Sequence, residues 1–437
     1  MTMKFSDLVK KTLFRKIDEM SKNRGLFCKN PEKDFKRDRK LGFAEMVRFI
    51  ILMQGNSIQK ELYDYFGHKV ATATSSAFVQ QRDKLLPEAF SFLFHDFNSV
   101  CPNLKRYKGY RLIACDGSDL PIAPNPNEKE NYTQTKAGSK GYSKLHLDAC
   151  YDLCNRSYTD AIIQPGVTFC EPRALTRMID RYQGERKTIF IADRGYESYN
   201  IMAHAHEHGL KFLIRTKDIT SNGILKRFSL PKEGEFDRNV SIILTRNEAK
   251  EFRTHPEKYR LLHRDSPFDY MDDANEFYEI SFRVARFKIA EDTYECVVTN
   301  LSEDEFSAAE LKEVYHMRWG LESAFRELKY TIGLKNFHAK KTEYIKQEIF
   351  ARLILYNVCE TIMLHVVIEK KKTKHLYQIN HTIAINECRH FLRCPDDIDP
   401  PDVEGMIRKN LLPVRPDRHY PRKVKHQSVT SFLYRVA

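Results

Sequence analysis

Cysteine pairing is what this sequence most conspicuously lacks. Its ten cysteines are scattered, and Cys28, Cys115, Cys296 and Cys359 have no close cysteine neighbour. The tightest spacing is Cys150-x-x-x-Cys154. Without paired Cys-x-x-Cys knuckles a zinc finger is excluded, and nothing suggests a disulfide framework. The opening MTMKFSDLVKKTLFRK has no long apolar run or cleavage site, so no signal peptide is expected. The most apolar late segment, IFARLILYNVCETIMLHVVI, carries Arg352, Asn357 and Glu360, and reads as a buried helix of a soluble protein, not a membrane span. KAGSKGYSK lacks the spacing of a nucleotide-binding P-loop, and no Gly-x-Ser-x-Gly hydrolase motif occurs. Internal repeats and low-complexity blocks are also missing. A reducing, cytoplasmic setting follows.

What is present is positive charge and apolar bulk. The 437 residues carry a formal charge of +13 at pH 7, with 42% hydrophobic residues. That apolar share supports one large core or several smaller ones and excludes a disordered chain. The basic excess favours a polyanionic partner, nucleic acid first and an anionic membrane second.

The texture divides the chain. Residues 1–104 read as a helical domain: EMVRFIILMQG, NSIQKELYDYF and SSAFVQQRDKLLPEAFSFLFHDFN follow one another, with Ser75-Ser76 as a cap, in an order that resembles helix-turn-helix packing. A plain helical bundle is the other reading. Over 105–217 the order is three strands, helix, strand, helix, strand: YRLIACDGSDL, KLHLDACYDL, SYTDAIIQPG, then ALTRMIDRYQG closed by Gly184, KTIFIADRGY, IMAHAHEHG closed by Gly209, and KFLIRTK. This predicts an α/β mixed sheet with helices on its faces. Residues 218–300 read as a mainly β insertion. Two long helices follow, near 307–330 and 343–370, placing 301–372 with the second part of the core. The segment 373–437 reads as a basic, partly extended region.

Asp116 and Asp193 each end an apolar run and are closely followed by glycine, at Gly117 and Gly195. Such strand ends often carry ligand sites, although an aspartate there can equally be a turn former. A third carboxylate lies in YHMRWGLESAFRELK. On a continuous helix Tyr315, Arg318, Glu322 and Lys329 fall within about 60° of one another, along the edge of an apolar stripe of Val314, Leu321, Phe325, Leu328 and Ile332. A half-buried glutamate there needs a partner or a metal; the i,i+4 pair Arg318–Glu322 is one sufficient explanation. Converging, Asp116, Asp193 and Glu322 could hold two divalent metals about 4 Å apart, and their hard oxygens suit magnesium or manganese.

The pattern Tyr315-x-x-Arg318-x-x-x-Glu322-x-x-x-x-x-x-Lys329, after the blocks IACDGSDL and IADRGY, resembles the Tyr-Arg-Glu-Lys signature of bacterial insertion-sequence transposases with a DDE centre. The resemblance covers roughly residues 40–420. It implies a ribonuclease-H-like sheet with flanking helices, interrupted by a β insertion; DNA binding by the helical N-terminal domain is expected from its helix-turn-helix-like order, since that part matches the family only loosely. It implies cut-and-paste chemistry on double-stranded DNA, at the terminal inverted repeats of an element and at a target, with a hairpin route less certain than cutting and joining. Asp116, Asp193 and Glu322 would be catalytic and hold Mg²⁺, with Mn²⁺ as a substitute. Tyr315, Arg318 and Lys329 would organise phosphates. A DNA-dependent homodimer in the bacterial cytoplasm, associated with the nucleoid and not with membrane, is implied. A nuclease on the same fold and a non-catalytic DNA-binding protein are the rival readings.

Further DNA contacts are assigned to Arg194 and to the basic loop residues Lys136, Lys140 and Lys144; Trp319 either stacks on a base or packs. Asp119 and Asp148 are weaker site candidates, better read as turn residues or structural partners. His204 and His208, four apart, read as a wet helix face without further zinc ligands.

Overall fold

The computed structural model describes residues 4–101, 104–134, 140–366, 376–395 and 398–414. The chain begins with α1 (Phe5–Lys22), α2 (Phe43–Leu52), α3 (Ile58–Phe66), α4 (Ser75–Arg82) and α5 (Glu88–Val100). Helix α1 buries Val9, Leu13, Ile17 and Met20, one face at helical spacing. The cap of α4 is Thr74, not the serine pair: Thr74 has the extended backbone an N-cap needs, and its side chain accepts from the Ala77 N–H at 3.2 Å.

The sheet strands come next: β1 (Arg111–Ile122), the short β2 (Tyr132–Thr133), β3 (Tyr142–Asp152) and β4 (Ser157–Pro165). Then come α6 (Glu171–Asp180), β5 (Thr188–Ala192), α7 (Tyr199–Glu207) and β6 (Lys211–Thr216). This is the expected order of strands and helices with the short β2 added between the first two strands, and with two further local corrections. Helix α6 stops at Asp180, before Gly184. His204 is not on a wet face: it is buried on α7, with ring nitrogens 2.5 Å from Asp180 and 2.9 Å from Asp269.

Four more strands, β7 (Phe236–Thr245), β8 (Tyr259–Leu261), β9 (Phe277–Ala290) and β10 (Thr293–Thr299), join the same sheet, with the short α8 (Lys250–Thr254) between β7 and β8. The order is β2-β3-β1-β5-β6-β10-β9-β7-β8, with β4 paired to β3. Strands β1, β5 and β6 run parallel, and β3 and β10 flank them antiparallel. The result is a mixed α/β core with flanking helices and a helical N-terminal region.

After the sheet come α9 (Ala308–Met317), α10 (Trp319–Arg326), a π-helical turn over Glu327–Thr331, and α11 (Thr342–Met363). Helix α11 is buried on all sides, between the sheet and the N-terminal helices. Its polar residues explain how it tolerates that position. Arg352 donates to the carbonyls of Ile51 (3.4 Å) and Gln54 (3.1 Å), and also to Met53 O, closing the end of α2. Asn357 both accepts from the Tyr158 N–H (2.8 Å) and donates to its carbonyl (2.7 Å). Arg82 of α4 meets Glu348 and Gln347, each at 2.8 Å. Among the described residues, no helix is long and apolar enough to cross a membrane.

The described residues end in β11 (Tyr377–Ile379), α12 (His381–Arg393), α13 (Val403–Lys409) and β12 (Leu411–Pro413). Ala384, Ile385, Cys388, Phe391 and Leu392 give α12 an apolar face that joins the main core, and of the stretch expected as a basic, partly extended arm, residues 411–413 form the strand β12. The remaining basic residues, 415–437, lie outside the described residues. All ten cysteines are free thiols.

Candidate functional site

Asp116 does not end its strand, as the apolar run suggested. Strand β1 continues to Ile122, and Asp116 pairs with Ala149 of β3. The strand end lies on the other side: parallel pairing of β1 with β5 stops at Cys115–Ala192, and Asp116 and Asp193 are the next residues on each strand. Asp193 then caps a 3-10 turn, accepting the Gly195 N–H at 2.7 Å. Burial pushes the Asp116 carboxyl up to about 6; Arg318 and the Gly117 N–H oppose this, and the charges of Asp193 and Glu171 add to it.

The third carboxylate arrives on a helix that tightens at Arg318, where the backbone stays helical and the Arg318 N–H donates to the Tyr315 carbonyl at 3.1 Å. The stretch read as continuous is α9 and α10 meeting at Arg318, then the π turn. The apolar stripe is nevertheless buried throughout: Val314, Leu321, Phe325, Leu328 and Ile332 all lie in the core. At the junction Arg318 reaches Asp116 Oδ2 at 3.3 Å and Glu322 Oε1 at 3.0 Å. One guanidinium therefore spans two acids from distant parts of the chain. The π turn carries Lys329 onto β1, where it donates to Ser118 Oγ and to the Asp119 carbonyl at 3.3 Å. Burial, then Lys335, lowers the Lys329 ammonium below its ordinary range. Tyr315 is only 4% exposed, packed under the sheet with its ring 5.9 Å from the Arg318 guanidinium. Trp319 is 53% exposed.

Side chains alternate along β1, so Asp116 and Ser118 face α9, α10 and the π turn while Gly117 and Asp119 face α6. On that second face His146 and Asp148 of β3 lie opposite Asp119 and Gly117, and Glu171 comes from the first turn of α6. A Cβ at Gly117 would sit 2.4 Å from His146 Nε2 and 2.2 Å from Glu171 Oε1, so a side chain there would force one of them to move. His146, Asp148 and Glu171 form an acidic/His cluster able to coordinate a divalent metal, with ligand atoms all within 4.8 Å. Glu327, Glu360 and His381 form a similar cluster, but Arg156 fills it, 2.9 Å from Glu360 and 3.3 Å from Glu327. Sequence reasoning missed His146 and Glu171. The signal was His-x-Asp on a strand, which puts both side chains on one face; Glu171 offered none.

Of the basic residues, Lys136 lies outside the described residues, and Lys140 is exposed. Lys144 is paired with Asp119 at 2.7 Å. Arg194 is exposed beside Asp193 and lines a 590 Å³ cleft with Lys217, Arg260 and His263. Nothing in the sequence linked those last three.

Three comparisons bear on this geometry. A family model described as "Transposase DDE domain" matches residues 107–358, more than half of the chain. The transposase for insertion sequence element IS421 of Escherichia coli is 26% identical over 241 residues, 51% of this chain and 62% of that protein. The transposase InsG for insertion sequence element IS4 of Escherichia coli (strain K12) is 28% identical over 136 residues, 28% of this chain and 29% of that protein. The chain thus spans less than two thirds of the length of these relatives. A piggyBac transposase synaptic complex with hairpin DNA, solved by cryo-EM, is similar at a TM-score of 0.46 and 9% identity, over 93% of this chain and 82% of that one. The span from Tyr107 to Val358 holds both aspartate strands, the tightened helix and most of α11, and through it the chain belongs to the DDE-domain transposases of insertion sequences.

Proposed function

We propose that this protein is a metal-dependent transposase that binds the terminal inverted repeats of an insertion sequence, cuts DNA strands there and joins the ends to target DNA. The observation that carries the reading is the shared guanidinium of Arg318 between Asp116 and Glu322, with Asp193 following the last β1–β5 pair beside Asp116. Asp116, Asp193 and Glu322 are the acids assigned to the metals, on a core of ribonuclease-H-like type.

The donor set fits hard divalent cations. All the ligands are carboxylate oxygens, and the raised Asp116 carboxyl reflects burial and neighbouring negative charge that a cation offsets. When bound, Mg²⁺, or Mn²⁺ in its place, supplies a nucleophile at neutral pH and neutralises charge on the leaving 3′ oxygen. The chain's own residues do the rest. Arg318 neutralises the acids before metal and DNA arrive, and its donors are then turned to a phosphate at the cut end. Lys329, held by Ser118, marks the phosphate on the other side. Tyr315, buried against Arg318, sets its direction. Trp319, 53% exposed, is assigned to stacking on an unpaired base, and Arg194, Lys140 and the cleft with Lys217 and Arg260 to following the backbone. Paired ends call for two copies, so a DNA-dependent homodimer is part of the proposal.

A strand-transfer assay with a pre-cut inverted-repeat end and Mg²⁺ tests it. Joined product is expected. Cleavage without joining would favour a nuclease, and binding without either a non-catalytic DNA-binding protein. Glu322→Gln is expected to lower cleavage on the order of 10³-fold; a variant as fast as the parent removes Glu322 from the site.

A further inference from the structure

We infer that α4 is the helix that reads base sequence in duplex DNA, entering the major groove with Ser76, Val79 and Gln80 and selecting A·T pairs. The inference rests on the reading of this chain as a protein that binds duplex ends, and adds which side chains choose the sequence there.

Helix α4 is anchored on one face and bare on the other. Phe78, Gln81 and Arg82 are buried. The Phe78 ring stands edge-on to Phe49 at 5.1 Å, and Arg82 is held by Gln347 and Glu348 of α11. Gln59 of α3 fixes how the helix projects: its side chain accepts the Ser75 N–H at 2.9 Å and donates to the Ala73 carbonyl at 3.3 Å. At about 100° per residue, Val79, Ser76 and Gln80 share the outer face within about 100°. Ser76 and Gln80 are exposed, and so is Val79. None of the three is charged. Asp83, just past the helix, is already engaged, accepting from the Tyr344 hydroxyl and pairing with Lys29 at 3.4 Å.

Cations stand beside that neutral face. Residues 33–40 carry five basic side chains against two acidic ones. Lys33, Lys36, Arg37 and Arg39 are exposed, and with Gln81 and Lys84 they line a 460 Å³ cleft along α4. Glu32 also lines it, paired with Lys36 at 2.8 Å, while Asp34 is buried and accepts the Asn30 N–H at 2.9 Å. Lys40 ties this segment to the connection between α3 and α4 by donating to the Ala71 carbonyl, and Lys69 of that connection is exposed. A neutral polar face flanked by exposed cations complements base edges flanked by phosphates.

The side chains indicate the bases. A glutamine amide pairs through two hydrogen bonds with adenine N6 and N7, an apolar side chain packs on the thymine methyl, and a serine hydroxyl serves either partner. Gln80 is assigned to an adenine and Val79 to the thymine methyl of a neighbouring pair. Gln80 Nε2 is 3.5 Å from Ser76 Oγ, a long contact that a base edge replaces at little cost. Arg37 and Arg39 are assigned to phosphates, which fix position without reporting sequence.

The test uses the full chain and a pool of duplexes with a randomised core, sequencing those that bind. The parent should enrich a motif containing A·T pairs. Gln80→Ala, a change at an exposed position, should lose the preference for adenine at one position by at least about fivefold while the rest of the motif persists. Gln80→Glu should move that position toward cytosine, whose N4 amino group donates to a carboxylate. The Arg37→Ala/Arg39→Ala double variant should keep the motif, bind every duplex more weakly and show a salt slope smaller by about 2. A motif unchanged in both Gln80 variants overturns the inference, and so does a parent that enriches no motif. Strand joining is not read here. A protein that reads DNA through Gln80 but never joins ends removes the proposed function alone; one that joins ends with its motif unmoved by Gln80 removes this inference alone.

Discussion

Arg318 donates to Asp116 Oδ2 at 3.3 Å and, with its other arm, to Glu322 Oε1 at 3.0 Å, so a single buried cation stands between acids 206 positions apart in the chain. Removing it leaves two carboxylates without their counter-charge. Arg318→Gln is expected to destabilise the metal-free protein by about 3 kcal/mol, and Mg²⁺ is expected to restore more stability to the variant than to the parent. Thermal melts in EDTA and in Mg²⁺ check this; equal Mg²⁺ effects in the two proteins would contradict the shared-charge role.

Asp116 should pull the other way. Its folded carboxyl lies above the ordinary value, at about 6. The ionised form is thus disfavoured in the fold, and the favourable contribution, complete below about pH 4, is lost as pH rises through 6. In EDTA at pH 7.5, Asp116→Asn is expected to be more stable than the parent, on the order of 1–3 kcal/mol, with the gap closing toward pH 4. Denaturant titrations across that range measure it.

Gly117→Ala places a methyl against His146 Nε2 and Glu171 Oε1 on the α6 face of β1. About 1–3 kcal/mol of stability should be lost from overpacking, together with DNA cleavage, because Asp116 is the adjoining residue. Melting temperature and a cleavage assay on the same sample read both effects.

Arg82 and Glu348 join the N-terminal helices to α11 as a buried pair at 2.8 Å. Burial works to raise the Glu348 carboxyl, but Arg82, then His338, hold it down at about 2. The pair's contribution is therefore present above about pH 4.5 and lost as pH falls toward 2. Arg82→Leu is expected to cost about 3–5 kcal/mol at pH 7 and to expose the N-terminal helices to limited proteolysis. Resistance equal to the parent's would show that the pair does not hold them.

Much of the core was legible because its elements are locally encoded. The apolar runs at Arg111–Cys115 and Thr188–Ala192 mark strands by β-branched and aliphatic content, and the stripe from Val314 to Ile332 marks a buried helix face. Other features were not legible. The tightening at Arg318 and the π turn at Glu327–Thr331, which carries Lys329, are announced by no propensity; neighbouring contacts, such as Arg389 donating to the Ile332 carbonyl, stand at the turn instead. The continuation of β1 past Asp116 depends on β3 supplying partners up to Ser143, a long-range pairing that a local apolar run does not report.

The sequence by itself determined which residues could do chemistry, where the strands and buried helices lie, and that the chain carries a large positive excess. Only the tertiary structure decided which of these groups meet. Strand register set Asp116 beside Asp193, a helix junction turned Arg318 between two acids, and alternation along β1 sent Gly117 and Asp119 to the opposite face. Each of those outcomes arises from pairing between segments far apart in the chain, where one residue of register exchanges one face of the sheet for the other.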